Sequence, residues 1–144
     1  MSMLARESDK EMALVTISGV EEPVLSQYFT ALNAGEFEAV SQLFAVDGML
    51  QPPFDEPLVG RDAIAAYLER EAQGFLLQPQ SGTAAQQDDS IEYEILGKVQ
   101  TPWFSVNVCW SFILSSTKEI LLAKVKLLAS LKELLPLRDA AKSV

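Results

Sequence analysis

From Phe104 to Leu114 the chain alternates with a period of two. Phe104, Val106, Val108, Trp110, Phe112 and Leu114 share one parity; Ser105, Asn107, Cys109 and Ser111 share the other. A two-residue period predicts a strand with one buried face, which turns Trp110 inward and Cys109 outward. Upstream the period is helical. Glu21-Glu22-Pro23 is an acidic, proline-initiated start, and Val24, Leu25, Tyr28, Phe29 and Leu32 follow at helical spacing before Asn33-Ala34-Gly35. A second short helix is predicted over Phe37, Val40, Leu43 and Phe44, closing near Asp47-Gly48. A third begins at Gly60-Arg61-Asp62 and carries Ile64, Tyr67 and Leu68 on one face.

The remaining segments complete the pattern. Ala13 to Val20, rich in β-branched residues, predicts a short strand. Met49-Leu50-Gln51 predicts another, ended by Pro52-Pro53 and the PPFDEP loop. Strands are predicted at Phe75–Thr83, Ser90–Thr101, Phe104–Leu114 and Glu119–Ala129, with turns at Ala85–Asp89, near Pro102 and at Ser115–Lys118. Ser130 is placed to cap a last short helix containing Leu131, Leu134 and Leu135. The expected fold is α+β: three N-terminal helices against a curved four-stranded antiparallel sheet, then a short C-terminal helix and tail. One domain is expected over residues 13–136, between a solvated tail at 1–12 and a polar tail at 137–144. A sheet curved around helices makes a cone with a mouth, a shape that tends to hold a ligand.

Composition narrows the chemistry. The 144 residues carry a formal charge of −9 with no basic block, which argues against nucleic acid and anionic membrane surfaces. No apolar run is long enough for a transmembrane helix, and the opening MSMLARESDKEM lacks an apolar signal core. With a single cysteine and no such signal, the expected compartment is the reducing cytoplasm. Histidine is absent, which removes Ser/His and Cys/His nucleophilic sites and His-based metal sites.

Acid–base catalysis would need a carboxylate inside the cone. Asp47, Asp55 and Glu56 fall in loops near the expected mouth, Glu92 and Glu94 share the outward parity, and no inward strand position is acidic. No enzyme activity is therefore expected, and an isomerase- or cyclase-type site on the same cone is the alternative. On residues alone, Tyr28 and Trp110 fit core packing as well as ligand contact. Phe104, Phe112 and Val108 fit core and pocket wall alike, and Trp103 reads as a structural or mouth residue. The outer face of the sheet, with Leu96, Ile113, Ile120 and Leu122 near Cys109, is expected to need cover from the N-terminal segment or a second chain.

The segments LNAGEFEAVSQLFAVDGMLQPPFDEPLVGRDAIAAYL, GKVQTPWF, VCWSF and LLASLKELL resemble the C-terminal domain of the orange carotenoid protein family. The resemblance covers about residues 13 to 136 and lacks the all-helical N-terminal domain of that family. It implies a nuclear-transport-factor-2-like cone and a carotenoid carrier with photoprotective, singlet-oxygen-quenching character. The ligand implied is a keto-carotenoid of the echinenone or canthaxanthin type. Its keto ring would accept hydrogen bonds from Tyr28, in QYFTALN, and Trp110, in VCWSF, with Phe104, Phe112 and Val108 along the pigment. Glu71 matches a family carboxylate that pairs with an Arg of the helical domain. A homodimer sharing one pigment, or a stand-alone helical carotenoid protein, is the partner implied; a pigment-free module that docks onto such a helical carotenoid domain is a further alternative. Cys109 is a candidate for a redox-controlled dimer contact. The link from PWF to the second Trp is shorter here than in the family, and Leu131 stands where proline is common.

Overall fold

The computed structural model describes residues 14–128. Helix α1, Pro23–Asn33, starts at Glu22, whose carboxylate accepts the Val24 N–H at 3.4 Å, and it buries Leu25, Tyr28, Phe29 and Leu32. Those positions recur at three- and four-residue spacing, so one stripe of the helix faces the core. Helix α2, Phe37–Gln42, buries Phe37 and Val40; helix α3, Arg61–Glu71, buries Ile64 and Leu68. The strands are β1 Phe44–Gln51, β2 Leu58–Val59, β3 Leu76–Gln87, β4 Ser90–Gln100, β5 Ser105–Ser115 and β6 Ile120–Leu127. They form one sheet in the order β2-β1-β6-β5-β4-β3.

The expected four-stranded antiparallel sheet is therefore corrected to a mixed sheet of six strands, in which β1 runs parallel to β6. Phe44, expected in the second helix, opens β1 and pairs with Ile120; it is fully buried. Gly48, expected to stop that helix, lies in an irregular stretch of β1. A Cβ there would come within 2.7 Å of Ile120 O and 3.1 Å of Ala45 O, a close approach that only glycine allows. The strand expected at 13–20 reduces to isolated bridges, Ile17 with Val20 and Ser18 with Ser81. β3 runs on to Gln87, leaving Asp88-Asp89 as the turn. The final helix around Leu131 and both expected tails lie outside the described residues.

Parity explains the core. Tyr93, Ile95 and Val99 of β4, and Val106, Val108, Trp110, Phe112 and Leu114 of β5, point to the helices. Ile120 breaks the expected pattern: a register shift between β5 and β6 turns it inward, fully buried, and exposes Leu121. The outer face thus carries Leu96, Cys109, Ile113 and Leu122 without Ile120. Helix α1 is fixed to the edge strand by Asn33, whose side-chain amide donates to Leu77 O at 2.9 Å and accepts the Leu77 N–H at 2.7 Å.

Candidate functional site

The helices and the sheet form a cavity of about 460 Å³ that is partly open to solvent. Its volume lies within the range of small-molecule sites. Tyr28 and Leu32 of α1, Leu68 of α3, Val108 and Trp110 of β5 and Val125 of β6 contribute to an almost wholly apolar wall.

Trp110 lies on a central strand, between Ile95 of β4 and Val125 of β6, and is 1% exposed. Phe29 meets its indole edge-on, 4.8 Å between centroids at 78°. On the other side the indole needs Gly97, because a Cβ there would lie 2.9 Å from Trp110 Cζ3 and would collide with Gln78 O. Tyr28 is 2% exposed and edge-on to Phe112 at 5.0 Å and Phe29 at 5.3 Å. Burial alone pushes its hydroxyl above the ordinary tyrosine range. Both residues line the cavity, and no hydrogen bond joins the Tyr28 hydroxyl or the Trp110 indole N–H to another described residue. A tyrosine or tryptophan in a core usually finds a partner for its polar atom, so two donors on one apolar wall with no bond to another described residue suit a ligand acceptor.

Of the other expected contacts, Val108 is buried in the wall and Phe104 lies at the rim, 43% exposed, just before β5. Phe112 is a correction. It sits two residues beyond Trp110 along the same face, filled in by Tyr28 and Phe29, and does not line the cavity. Trp103, expected as a structural or mouth residue, reaches the rim with 81% of its surface exposed. Phe54, in the PPFDEP loop, was not singled out by sequence. It lines the same rim, 54% exposed, with φ at +69°. Its signal was the pair of prolines before it, which take the chain out of β1 over the opening.

The α3 side of the mouth is polar. The Tyr67 hydroxyl donates to Asp55 Oδ2 at 2.9 Å, Arg70 lies 5.6 Å from the centre of the Tyr67 ring, and Arg70 Nε donates to Glu71 Oε2 at 3.3 Å. Burial and the Asp55 contact both push the Tyr67 hydroxyl up. Glu71 is the one carboxylate among the described residues that lines the cavity, and it is solvent-exposed at the rim. A second carboxylate, Glu22, is 6% exposed but lies off the cavity wall, held by Lys118 Nζ at 3.0 Å and facing the Tyr93 hydroxyl at 3.5 Å. Sequence reasoning took Glu22 only as a helix start. Its partner sits in a turn far along the chain, and no local pattern links the two.

Cys109 lies on the outer face, half-buried, paired in register with Leu96 and Lys126, its Sγ 3.9 Å from Trp110 O. Partial burial first, then the charge of Glu94, pushes the thiol up. Leu96 beside it is 48% exposed. No helix among the described residues is long and apolar enough to cross a membrane.

Residues 20–121 match the nuclear transport factor 2 (NTF2) domain model. Over 128 residues the chain is 39% identical to the orange carotenoid-binding protein of Limnospira maxima, covering 85% of this chain and 40% of that protein. It is 39% identical over 126 residues to the same-named protein of Synechocystis, covering 84% and 40%. The chain thus spans about 40% of the length of these relatives. The Anabaena (Nostoc) orange carotenoid protein solved with canthaxanthin superposes with a TM-score of 0.78 at 41% identity, covering 85% of this chain and 41% of that one. A shorter match, 46% over 56 residues, covers 38% of this chain and 20% of the epoxide hydrolase LasB of Streptomyces lasalocidi.

Proposed function

The chain belongs to the nuclear transport factor 2 domain family, and from that premise we propose that its cone binds one end of a keto-carotenoid and carries it. The observation that supports this reading most is the pair of donors, Tyr28 and Trp110, that line an otherwise apolar cavity and make no hydrogen bond to another described residue. A ring ketone accepts both hydrogen bonds, and the polyene leaves along the apolar wall toward Phe104. Burying about 20 carbons contributes on the order of 10 kcal/mol. Each donor adds only about 1 kcal/mol net. Without a keto oxygen, each donor would be stranded at a cost of about 1–3 kcal/mol. Affinity then comes from the polyene and selectivity from the two donors. The canthaxanthin bound by the Anabaena relative is of this chemical class.

A carotenoid is longer than this cone is deep, so its far half needs cover outside the mouth. A second copy, mouth to mouth, supplies an identical cavity for the other ring, and Phe54, Trp103 and Phe104 form the apolar seam. Outer-face contact through Leu96 would bring two Cys109 thiols together and make assembly sensitive to oxidation. Glu71, exposed at the rim beside Arg70, would pair with an arginine of a separate helical carotenoid protein, and quenching of excited pigment states would follow from such complexes. Enzyme activity of the hydrolase or cyclase kind is the weaker reading. Glu71 is open to solvent and Glu22 is off the wall, so neither is an enclosed acid facing a bound substrate.

Expression in a canthaxanthin-producing host tests the reading. The purified protein is expected to be coloured, with a visible band displaced from that of free canthaxanthin. A colourless protein from a strain rich in the pigment overturns it.

A further inference from the structure

The tip of the β4–β5 hairpin is four residues long, Thr101-Pro102-Trp103-Phe104, between the paired Gln100 and Ser105. Two of the four are aromatic rings at the cavity rim, and Trp103 holds four-fifths of its surface in water. A short tip with exposed rings would sample many conformations unless its backbone were fixed.

The backbone is fixed by one side chain. Thr101 Oγ1 accepts the Trp103 N–H at 3.1 Å and the Phe104 N–H at 3.0 Å, and its hydroxyl donates to Phe104 O at 3.0 Å. The Thr101 N–H donates to the same carbonyl at 2.8 Å. A hydroxyl offers one donor and two acceptor positions, and here all three are used inside the tip. Thr101 is 9% exposed, so water has little access to replace it. Pro102 fixes its own φ and lies against the α3–β3 connection, where a Cβ on Gly74 would come within 3.3 Å of its Cγ.

We propose that Thr101 is the positioning residue of the mouth: its hydroxyl presets Trp103 and Phe104 as a rigid half of the rim opposite Phe54, and so controls how fast cargo leaves. The role rests on the cavity being the binding site. The part of a long apolar ligand that emerges must pass these rings. A fixed rim retains its contact with that part, whereas a mobile one gives it up to water.

Thr101→Val keeps the shape of the side chain and strands two N–H groups; Thr101→Ser keeps the hydroxyl. The chain has two tryptophans, so a Trp110→Phe background leaves Trp103 as the sole fluorophore. In that background, without ligand, Thr101→Val is expected to lower Trp103 anisotropy and Thr101→Ser to restore it. In the chain that retains Trp110, transfer of bound canthaxanthin to phosphatidylcholine vesicles is expected to become severalfold faster in Thr101→Val and to return toward wild type in Thr101→Ser. Unaltered anisotropy overturns the clamp, and lowered anisotropy with an unaltered transfer rate overturns its role in release. A wild type that takes up no canthaxanthin overturns the binding reading and this role together, while the anisotropy still decides the clamp. Should the valine variant fail to fold by circular dichroism, Thr101→Ala against Thr101→Ser gives the same comparison.

Discussion

Asn33 holds Leu77 as a neighbouring strand would, donating to its carbonyl at 2.9 Å and accepting its N–H at 2.7 Å. The last residue of α1 thereby satisfies two backbone groups of an edge strand and fixes the helix that carries Tyr28. Asn33→Leu removes both bonds and leaves partly buried groups unpaired, so a loss of about 2–3 kcal/mol is expected. Asn33→Asp keeps the acceptor and loses the donor, and should fall between. Urea unfolding midpoints at unchanged m-value check this.

Tyr28→Phe and Trp110→Phe each remove one donor while preserving an aromatic ring. Each is expected to weaken canthaxanthin binding by about 1 kcal/mol, roughly fivefold, and to move the bound band to shorter wavelength. The double variant should discriminate poorly between canthaxanthin and β-carotene. Unchanged spectra and loading in both single variants would place the ketone elsewhere.

Stability should fall on the alkaline side. The Lys118 ammonium is pushed up by its hydrogen bond to Glu22, and the Tyr93 and Tyr28 hydroxyls are pushed up by burial. For all three, the folded state favours the protonated form. Their contribution is present below the ordinary lysine and tyrosine range and is lost as pH climbs through the raised values. The expected result is a melting temperature that declines from about pH 10 upward. Lys118→Gln should lower it at neutral pH too, because Glu22 is then buried without its cation, and Glu22→Gln added to Lys118→Gln should recover part of the loss. Melting curves of the wild type and both variants across pH 7–11 decide it.

The raised Cys109 thiol predicts slow alkylation at pH 8, with a rate that rises through a pH above that of a free peptide thiol. Under mild oxidant the proposed outer-face pairing predicts a dimer band on non-reducing gels that is absent in Cys109→Ser. Wild type that stays monomeric after oxidation would leave Cys109 outside any interface.

Trp110 was legible because the two-residue period of β5 is unbroken, and Tyr28 because α1 follows helical spacing between a clear start and stop. Phe44 was not. Next to a short helix, an apolar pair reads as one more turn, and only the distant β6 makes it a strand. Ile120 defeated parity for a related reason: a register shift is a property of the pairing and leaves no mark on the strand's own residues. Phe112 has the right face but the wrong depth, and depth depends on how far Tyr28 and Phe29 reach from α1. The rim was half legible: TPWF announced a turn, but the triple use of the Thr101 hydroxyl appears only once the tip is folded.

The parallel pairing of β1 with β6 has a consequence for biogenesis. The first long strand is made early and its partner is the last strand in the described chain, so the sheet cannot close around the cavity while the chain is still short. Val125 and Leu127, two wall residues, belong to that last strand. Nascent chains still lacking β6 on the ribosome would present Trp110 to water with no enclosed space beside it. The proposed ligand would therefore be taken up only after β6 has been made. Pairing at such long sequence separation also makes closure slow compared with the local β3–β4–β5 meander, which can form first.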